Sequence, residues 1–141
     1  MKRMFAMLMG AAALVLFAPA GPAVAGPDGT GVSEAVKADH HGCPEKYLCF
    51  WASPNYHDGP GMVKDDNEDF RKLPHISCRT GTWDNCISSV VNNGQRCTVY
   101  MWSGLNYGGS YHSLAIGNEK PDLSQWYFND AISSNHWCTP K

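Results

Sequence analysis

The chain has 141 residues, 43% of them apolar, with 11 Lys and Arg against 13 Asp and Glu and a formal charge of −2. That balance holds no basic stripe of the kind nucleic acid or an anionic membrane surface requires, so neither is expected as a partner. The length fits one domain.

In chain order, Lys2 and Arg3 precede an apolar stretch from Met4 to Pro19, and Ala23-Val24-Ala25 follows as a small-x-small pattern. This is the layout of a secretory signal peptide. The stretch is shorter than the roughly 20 apolar residues of a membrane span and runs into Pro19, Gly21 and Pro22. Residues 1–25 are therefore expected to be cleaved, leaving a secreted, extracellular product whose formal charge is −4 once Lys2 and Arg3 are gone. Residues 26–42 are polar and read as a flexible N-terminal tail, with His40 and His41 a solvated pair rather than a metal site.

From Cys43 onward short apolar or aromatic runs alternate with turn residues. Tyr47-Leu48-Cys49-Phe50-Trp51, Ser89-Val90-Val91 and Cys97-Thr98-Val99-Tyr100-Met101-Trp102 read as strands. Ser53-Pro54-Asn55, Asp58-Gly59-Pro60-Gly61, Asn92-Asn93-Gly94 and Gly108-Gly109 read as the turns between them. No long run carries the 3.6-residue period of a helix. A short helical turn is expected near Pro121-Asp122-Leu123-Ser124, with Pro121 at its first position.

Two elements recur in the same order. Trp102, Tyr107 and Gly109 form W-x4-Y-x-G, and Trp51, Tyr56 and Gly59 repeat it with one extra residue before the glycine. Further on, Asp84-Asn85-Cys86-Ile87-Ser88-Ser89 matches Asn129-Asp130-Ala131-Ile132-Ser133-Ser134. Paired matches in one order mark an internal duplication. Physically, the first element is a strand folding into a tight hairpin, with a glycine at a backbone angle other residues resist. The serine near the end of the second element can hydrogen-bond that hairpin.

Six cysteines, Cys43, Cys49, Cys78, Cys86, Cys97 and Cys138, are an even number in an oxidising compartment, so three disulfides are expected. Spacing alone leaves their pairing open. A zinc site is disfavoured because no C-x2-C pair occurs. The chain carries no G-x-S-x-G elbow, H-E-x-x-H helix or phosphate-binding glycine loop, and His57, His75, His112 and His136 have no evident nucleophile beside them, so an enzyme is not expected. Trp51, Trp83, Trp102, Trp126 and Trp137 could stack on sugars in a lectin-like module, although core and hairpin packing accounts for them more simply.

The paired aromatic-Gly hairpin and the [N/D]-[N/D]-x-x-[S/T]-Ser element resemble the two Greek keys of a βγ-crystallin domain. The opening Cys43-Pro44-x4-Cys49-Phe50-Trp51, followed by Asn55-Tyr56 and the double repeat, resembles the secreted bacterial metalloproteinase-inhibitor family with that fold. The implied fold is all-β, a disulfide-stabilised sandwich over residues 43–141, with Greek key one at about 43–94 and Greek key two at about 95–141. Each key would be four-stranded and lend one strand to the other sheet. The elements Asp84–Ser89 and Asn129–Ser134 would each lie near the turn of the other repeat. Cys97 would pair with Cys138, on neighbouring strands of key two. Cys43, Cys49, Cys78 and Cys86 would pair among themselves, with Cys78–Cys86 closing a loop.

The resemblance implies a monomeric inhibitor of an extracellular protease, a zinc metalloproteinase, binding reversibly through a disulfide-fixed loop. The candidate segment is Arg79, Thr80, Gly81 and Thr82. A cut near a disulfide would leave the nicked chain in place. The alternative is a calcium-binding crystallin module of structural or surface-binding role. Asn85 and Ser88 from the first copy, and Asp130 and Ser133 from the second, would be the ligands. No cofactor is required for inhibition. With one carboxylate per element, Asp84 or Asp130, calcium affinity would be weak.

Overall fold

The computed structural model describes residues 40–141; the expected signal peptide and residues 26–39 of the expected tail lie outside them. Seven short strands carry the architecture: β1 Leu48–Trp51, β2 Gly61–Val63, β3 Ser89–Asn92, β4 Val99–Trp102, β5 Tyr111–Leu114, β6 Glu119–Lys120 and β7 Ser134–Trp137. They form two sheets, a four-stranded one in the order β2-β1-β3-β6 and a three-stranded one in the order β5-β4-β7. Every pairing is antiparallel.

The connectivity is an exchange. Repeat one supplies β1, β2 and β3 to the first sheet, but between β2 and β3 its chain reaches the edge of the second sheet, where Asn67 pairs with Asn135 of β7. Repeat two supplies β4, β5 and β7 to the second sheet and returns β6 to the first, where Val90 faces Lys120. The second sheet departs from the expected four full strands, because its fourth is only this Asn67–Asn135 bridge. The reason lies in the connecting run Asp65-Asp66-Asn67-Glu68-Asp69, which contains no β-branched or aromatic residue to fit a pleated surface. The Asp66 carboxylate takes the place of a ladder carbonyl, accepting the Trp137 N–H at 2.8 Å.

The core lies between the sheets. Leu48, Phe50 and Val90 from the first sheet meet Val99, Met101 and Leu114 from the second, with Phe70, Trp83, Ile87, Leu123, Phe128 and Ile132 filling the ends. The side chains alternate along β1, so Cys49 and Trp51 point to the other face. That face is buried too, by Cys43, Tyr47 and Tyr56. Gly61 opposes Phe50 across the β1–β2 ladder. A Cβ there would stand 2.3 Å from the Phe50 ring, so only glycine admits the Phe50–Trp83 contact that closes this end.

Both hairpins after the first strand of a repeat have the same form. Tyr56 packs edge-on against Trp51 at 5.2 Å between ring centres, and Tyr107 against Trp102 at 5.6 Å. Asn55-Tyr56 and Asn106-Tyr107 adopt positive φ. One serine holds each hairpin: the Ser89 hydroxyl donates to the Ser53 carbonyl at 2.8 Å and accepts the Tyr56 N–H at 3.2 Å. Ser134 does the same with Gly104 and Tyr107, at 2.7 and 3.2 Å. The glycine reading holds for the second copy, where Gly109 has φ +80°. In the first, the equivalent position with positive φ is Asp58, not Gly59. Asp tolerates that region better than most side chains, and here its carboxylate accepts the Ser53 hydroxyl at 2.7 Å.

Ser89 is fully buried. Ser89→Ala removes both hydrogen bonds and strands the Tyr56 N–H and the Ser53 carbonyl, so it is expected to cost about 2 kcal/mol, or roughly 10 °C in Tm for a domain of this size. Thermal unfolding followed by circular dichroism checks this. A shift under about 2 °C would mean that the hairpin is held by its aromatic packing alone.

Three disulfides join Cys43 to Cys49, Cys78 to Cys86 and Cys97 to Cys138. The last two are the pairs that the crystallin resemblance implied. The residues just before Cys43 are docked rather than free: His41 stacks on Tyr56 at 3.7 Å between ring centres, and its Nε2 lies 3.2 Å from a Glu119 carboxylate oxygen. Burial, with the Glu119 charge beside it, pushes the Tyr56 hydroxyl up to a pKa of about 12.

Candidate functional site

Two places hold the residues singled out from the sequence. The first is the loop closed by Cys78–Cys86. It is entered from a 3-10 turn, Phe70–Lys72, whose first N–H groups are capped by Asp69: its carboxylate accepts the Arg71 N–H at 3.0 Å. The Arg71 guanidinium then pairs with the same carboxylate and holds the Asp69 pKa below the usual range.

After Leu73 the chain makes two turns in succession. The Cys78 N–H donates to the His75 carbonyl at 3.1 Å, and the Gly81 N–H to the Cys78 carbonyl at 2.9 Å. Pro74 bridges to Thr82, the His75 N–H donates to the Gly81 carbonyl at 2.9 Å, and the Trp83 N–H donates to the Leu73 carbonyl at 2.9 Å. These bonds tie the base of the loop. Trp83 is buried and carries the His75 ring stacked on it at 3.9 Å. Arg79, Thr80 and Gly81 are exposed and Thr82 is half-buried. Gly81 takes φ +73° at the corner, and the Thr80 hydroxyl lies 3.2 Å from both the Thr82 carbonyl and the Thr82 hydroxyl. The loop is thus a braced projection.

The same local grammar recurs in repeat two without the loop. Asp122 caps the 3-10 turn Leu123–Trp126 by accepting the Ser124 N–H at 2.9 Å. Pro121 therefore precedes the cap and does not occupy the first helical position as expected. A side-chain cap satisfies an N–H that proline would merely lack, and the Pro121 carbonyl is used elsewhere, accepting the Asn55 N–H at 2.7 Å.

The second place is the pair of N/D elements. They are hydrogen-bonded to each other: the Asn85 N–H donates to the Ile132 carbonyl at 3.0 Å, and the Asp130 N–H to the Ile87 carbonyl at 2.9 Å. Both Asn85 and Asp130 have positive φ. The serines bind the hairpin of their own repeat, as their spacing suggested, so these elements do not reach the other repeat's turn through them. The Ser88 hydroxyl donates to the Ala52 carbonyl at 2.9 Å, just as Ser89 holds Ser53. The contacts to the other repeat's hairpin come from Pro121, which meets Asn55, and from Glu68, whose carbonyl accepts the Asn106 N–H at 2.8 Å.

The donor set for calcium is unequal between the halves. The Asp130 carboxylate accepts the Asn129 side-chain amide at 2.8 Å; desolvation pushes its carboxyl pKa up, offset in part by neighbouring Ser88. In the other half Asn85 is not acidic, its side-chain amide donates to Asp84 at 3.0 Å, and the second Asp84 oxygen is buried without a partner. Ser133 is buried beside Trp102, to whose carbonyl its N–H donates at 2.8 Å. Among the described residues no three His, Cys, Asp or Glu side chains converge on a point. Calcium takes six to eight oxygens, and each half has one carboxylate to contribute, Asp130 beside Ser88 and Asp84 with one oxygen unpartnered, so backbone carbonyls and water would have to make up the rest.

One residue of the loop had not been singled out. Ile76, inside the first of the two turns, is 98% exposed. Aligning the two repeats on their capping aspartates would have exposed the segment that carries it.

These features define a class: a disulfide-stapled two-Greek-key sandwich of the βγ-crystallin type, carrying one extra braced loop. Solved structures agree. The chain superposes with a TM-score of 0.57 on a structure concerned with the evolution of the eye-lens βγ-crystallin domain fold, at 21% identity over 69% of this chain and 89% of that one. A βγ-crystallin from Ciona intestinalis gives 0.52 at 12% identity, over 65% and 99%. A βγ-crystallin from an archaeon gives 0.51 at 17%, over 67% and 100%. No curated protein matches the chain significantly. The profile of peptidase inhibitor family I36 matches residues 36–115, and the chain belongs to that family. Membership implies inhibition of a peptidase, not an enzyme activity. Three disulfides, with no free cysteine among the described residues, suit an extracellular protein.

Proposed function

We propose that this protein is a secreted, monomeric inhibitor of extracellular zinc metallopeptidases. It acts reversibly and stoichiometrically by seating the loop closed by Cys78–Cys86, with Arg79, Thr80, Gly81 and Thr82, at the enzyme's cleft. The supporting observation is the bracing of that loop at its base by the Pro74–Thr82 bridge, buried Trp83 and the disulfide. A segment already held in place loses little entropy on binding. The test titrates the purified protein against a panel of secreted metallopeptidases in excess zinc and calcium. Tight-binding curves with a fixed stoichiometry are expected. Inhibition that disappears when metal is added would mean chelation and would overturn the proposal.

A second reading, calcium binding, has one observation in its favour: the Asp130 carboxylate beside Ser88, whose pKa desolvation pushes up. An ion there would stabilise the fold by mass action. The raised pKa has a sign that can be checked. The contribution of Asp130 to stability is present below its unfolded pKa and is lost as pH rises through the folded one. At neutral pH without calcium, Asp130→Asn should therefore raise Tm slightly, and it should remove any calcium-dependent gain. Melting curves in calcium and in chelator decide it. Identical wild-type midpoints would rule out folded-state binding at that concentration.

A further inference from the structure

The two repeats match wherever the fold needs them: capping aspartate, buried apolar residue, buried aromatic, N/D element, hairpin serine. They differ in one interval. Trp83 lies 13 residues after Phe70, whereas Phe128 lies 5 after Leu123. The eight extra residues fall at about 74–81 and form the two successive turns. Repeat two closes its sheet without them, so packing does not demand them. The disulfide partner Cys86 is matched in repeat two by Ala131, so the staple and the insertion occur together.

We propose that this insertion is the peptidase-binding element and that Ile76 is its anchor, entering an apolar side-chain pocket of the target enzyme; this rests on the inhibitory reading above. A lone exposed apolar side chain is ordinary on a protein surface. Ile76 differs because the backbone on both sides of it is fixed. The His75–Gly81 and Cys78–His75 hydrogen bonds hold its own turn, the His75 ring is pinned on buried Trp83, and Cys78 is bonded to Cys86. The side chain is 98% exposed on that rigid mount. A preformed apolar tip is the geometry of an interface hot spot, which gains by desolvation without an ordering cost. Exposed Arg79 and Lys72 stand near it in the chain as a polar rim; Arg71, by contrast, is spent on Asp69.

Ile76→Asp in the full secreted chain tests this. Against whichever metallopeptidase of the panel the wild type inhibits, the inhibition constant should rise at least about thirty-fold, with Tm unchanged because the side chain is almost fully exposed. Ile116→Ser, which removes an exposed isoleucine from another turn, should inhibit like the wild type. Undiminished inhibition by Ile76→Asp overturns the assignment while leaving the inhibitory function standing. Self-association that Ile76→Asp abolishes, with inhibition intact, also overturns it, because the residue would then be a contact between two copies. No inhibition by the wild type of any enzyme in the panel removes the inhibitory reading and this inference together.

Discussion

Residues 43–94 expressed alone are expected to remain unfolded or to pair into a dimer. In that fragment β3 loses β6, its neighbour in the sheet, and the Asn67 segment loses β7. The core loses more. Val99, Met101, Leu114, Leu123, Phe128 and Ile132 all come from repeat two and pack in one cluster with Leu48, Phe50 and Val90. Each such burial is worth roughly 1.5–3 kcal/mol. Six of them together reach or exceed the 5–15 kcal/mol that holds a typical domain folded (roughly, by general experience of small proteins). Only a second copy of the fragment could refill that space. Size-exclusion chromatography with a thermal melt is the measurement. A monomeric fragment with a sharp unfolding transition would show that the strand exchange does not bind the repeats into one cooperative unit.

Replacing Cys97 and Cys138 by serine is expected to cost about 4 kcal/mol, close to 20 °C in Tm. The size follows from loop length, because this disulfide closes 41 residues while the others close 6 and 8. In the chain-entropy account the short loops are worth roughly 2–2.5 kcal/mol each. The long bridge ties the lead-in to β4 to the residue just after β7, next to the Val99–Trp137 pair, so it restrains the whole second repeat. The Cys78–Cys86 pair should show the opposite balance. Its removal costs less stability but frees the loop that carries Ile76, so inhibition should fall further than Tm. Chemical denaturation of the two double-serine variants, run beside the inhibition assay, separates the effects. A loss under about 1 kcal/mol for the Cys97–Cys138 variant would mean that its unfolded chain is already compact.

Much of the fold was legible because it is written locally and twice. The Trp-x4-Tyr hairpins and the paired Ile-Ser-Ser elements need only short-range spacing to be recognised, and their duplication identifies a crystallin-type sandwich. The secreted cysteine pattern is equally local in its logic. Where the sequence misled, a specific side-chain or backbone contact decided, sometimes within the same turn and sometimes from far along the chain. Asp58 stands in the glycine position of the first hairpin because the Ser53 hydroxyl supports it. Pro121 lies before its turn because Asp122 does the capping and Asn55 uses the proline's carbonyl. The fourth strand of the second sheet shrinks to one bridge because an acidic run meets β7 there, and an aspartate side chain completes the ladder.

Composition and motifs thus determined the class of fold, the duplication and the family the chain resembles, since each rests on residue type and spacing. Exposure and bracing were decided only in three dimensions. Nothing in His75-Ile76-Ser77-Cys78 distinguishes an isoleucine bound for the core from one left at the surface. That outcome depends on Trp83 filling the site beneath the loop and on the Cys78–Cys86 and Pro74–Thr82 links turning the chain outward above it.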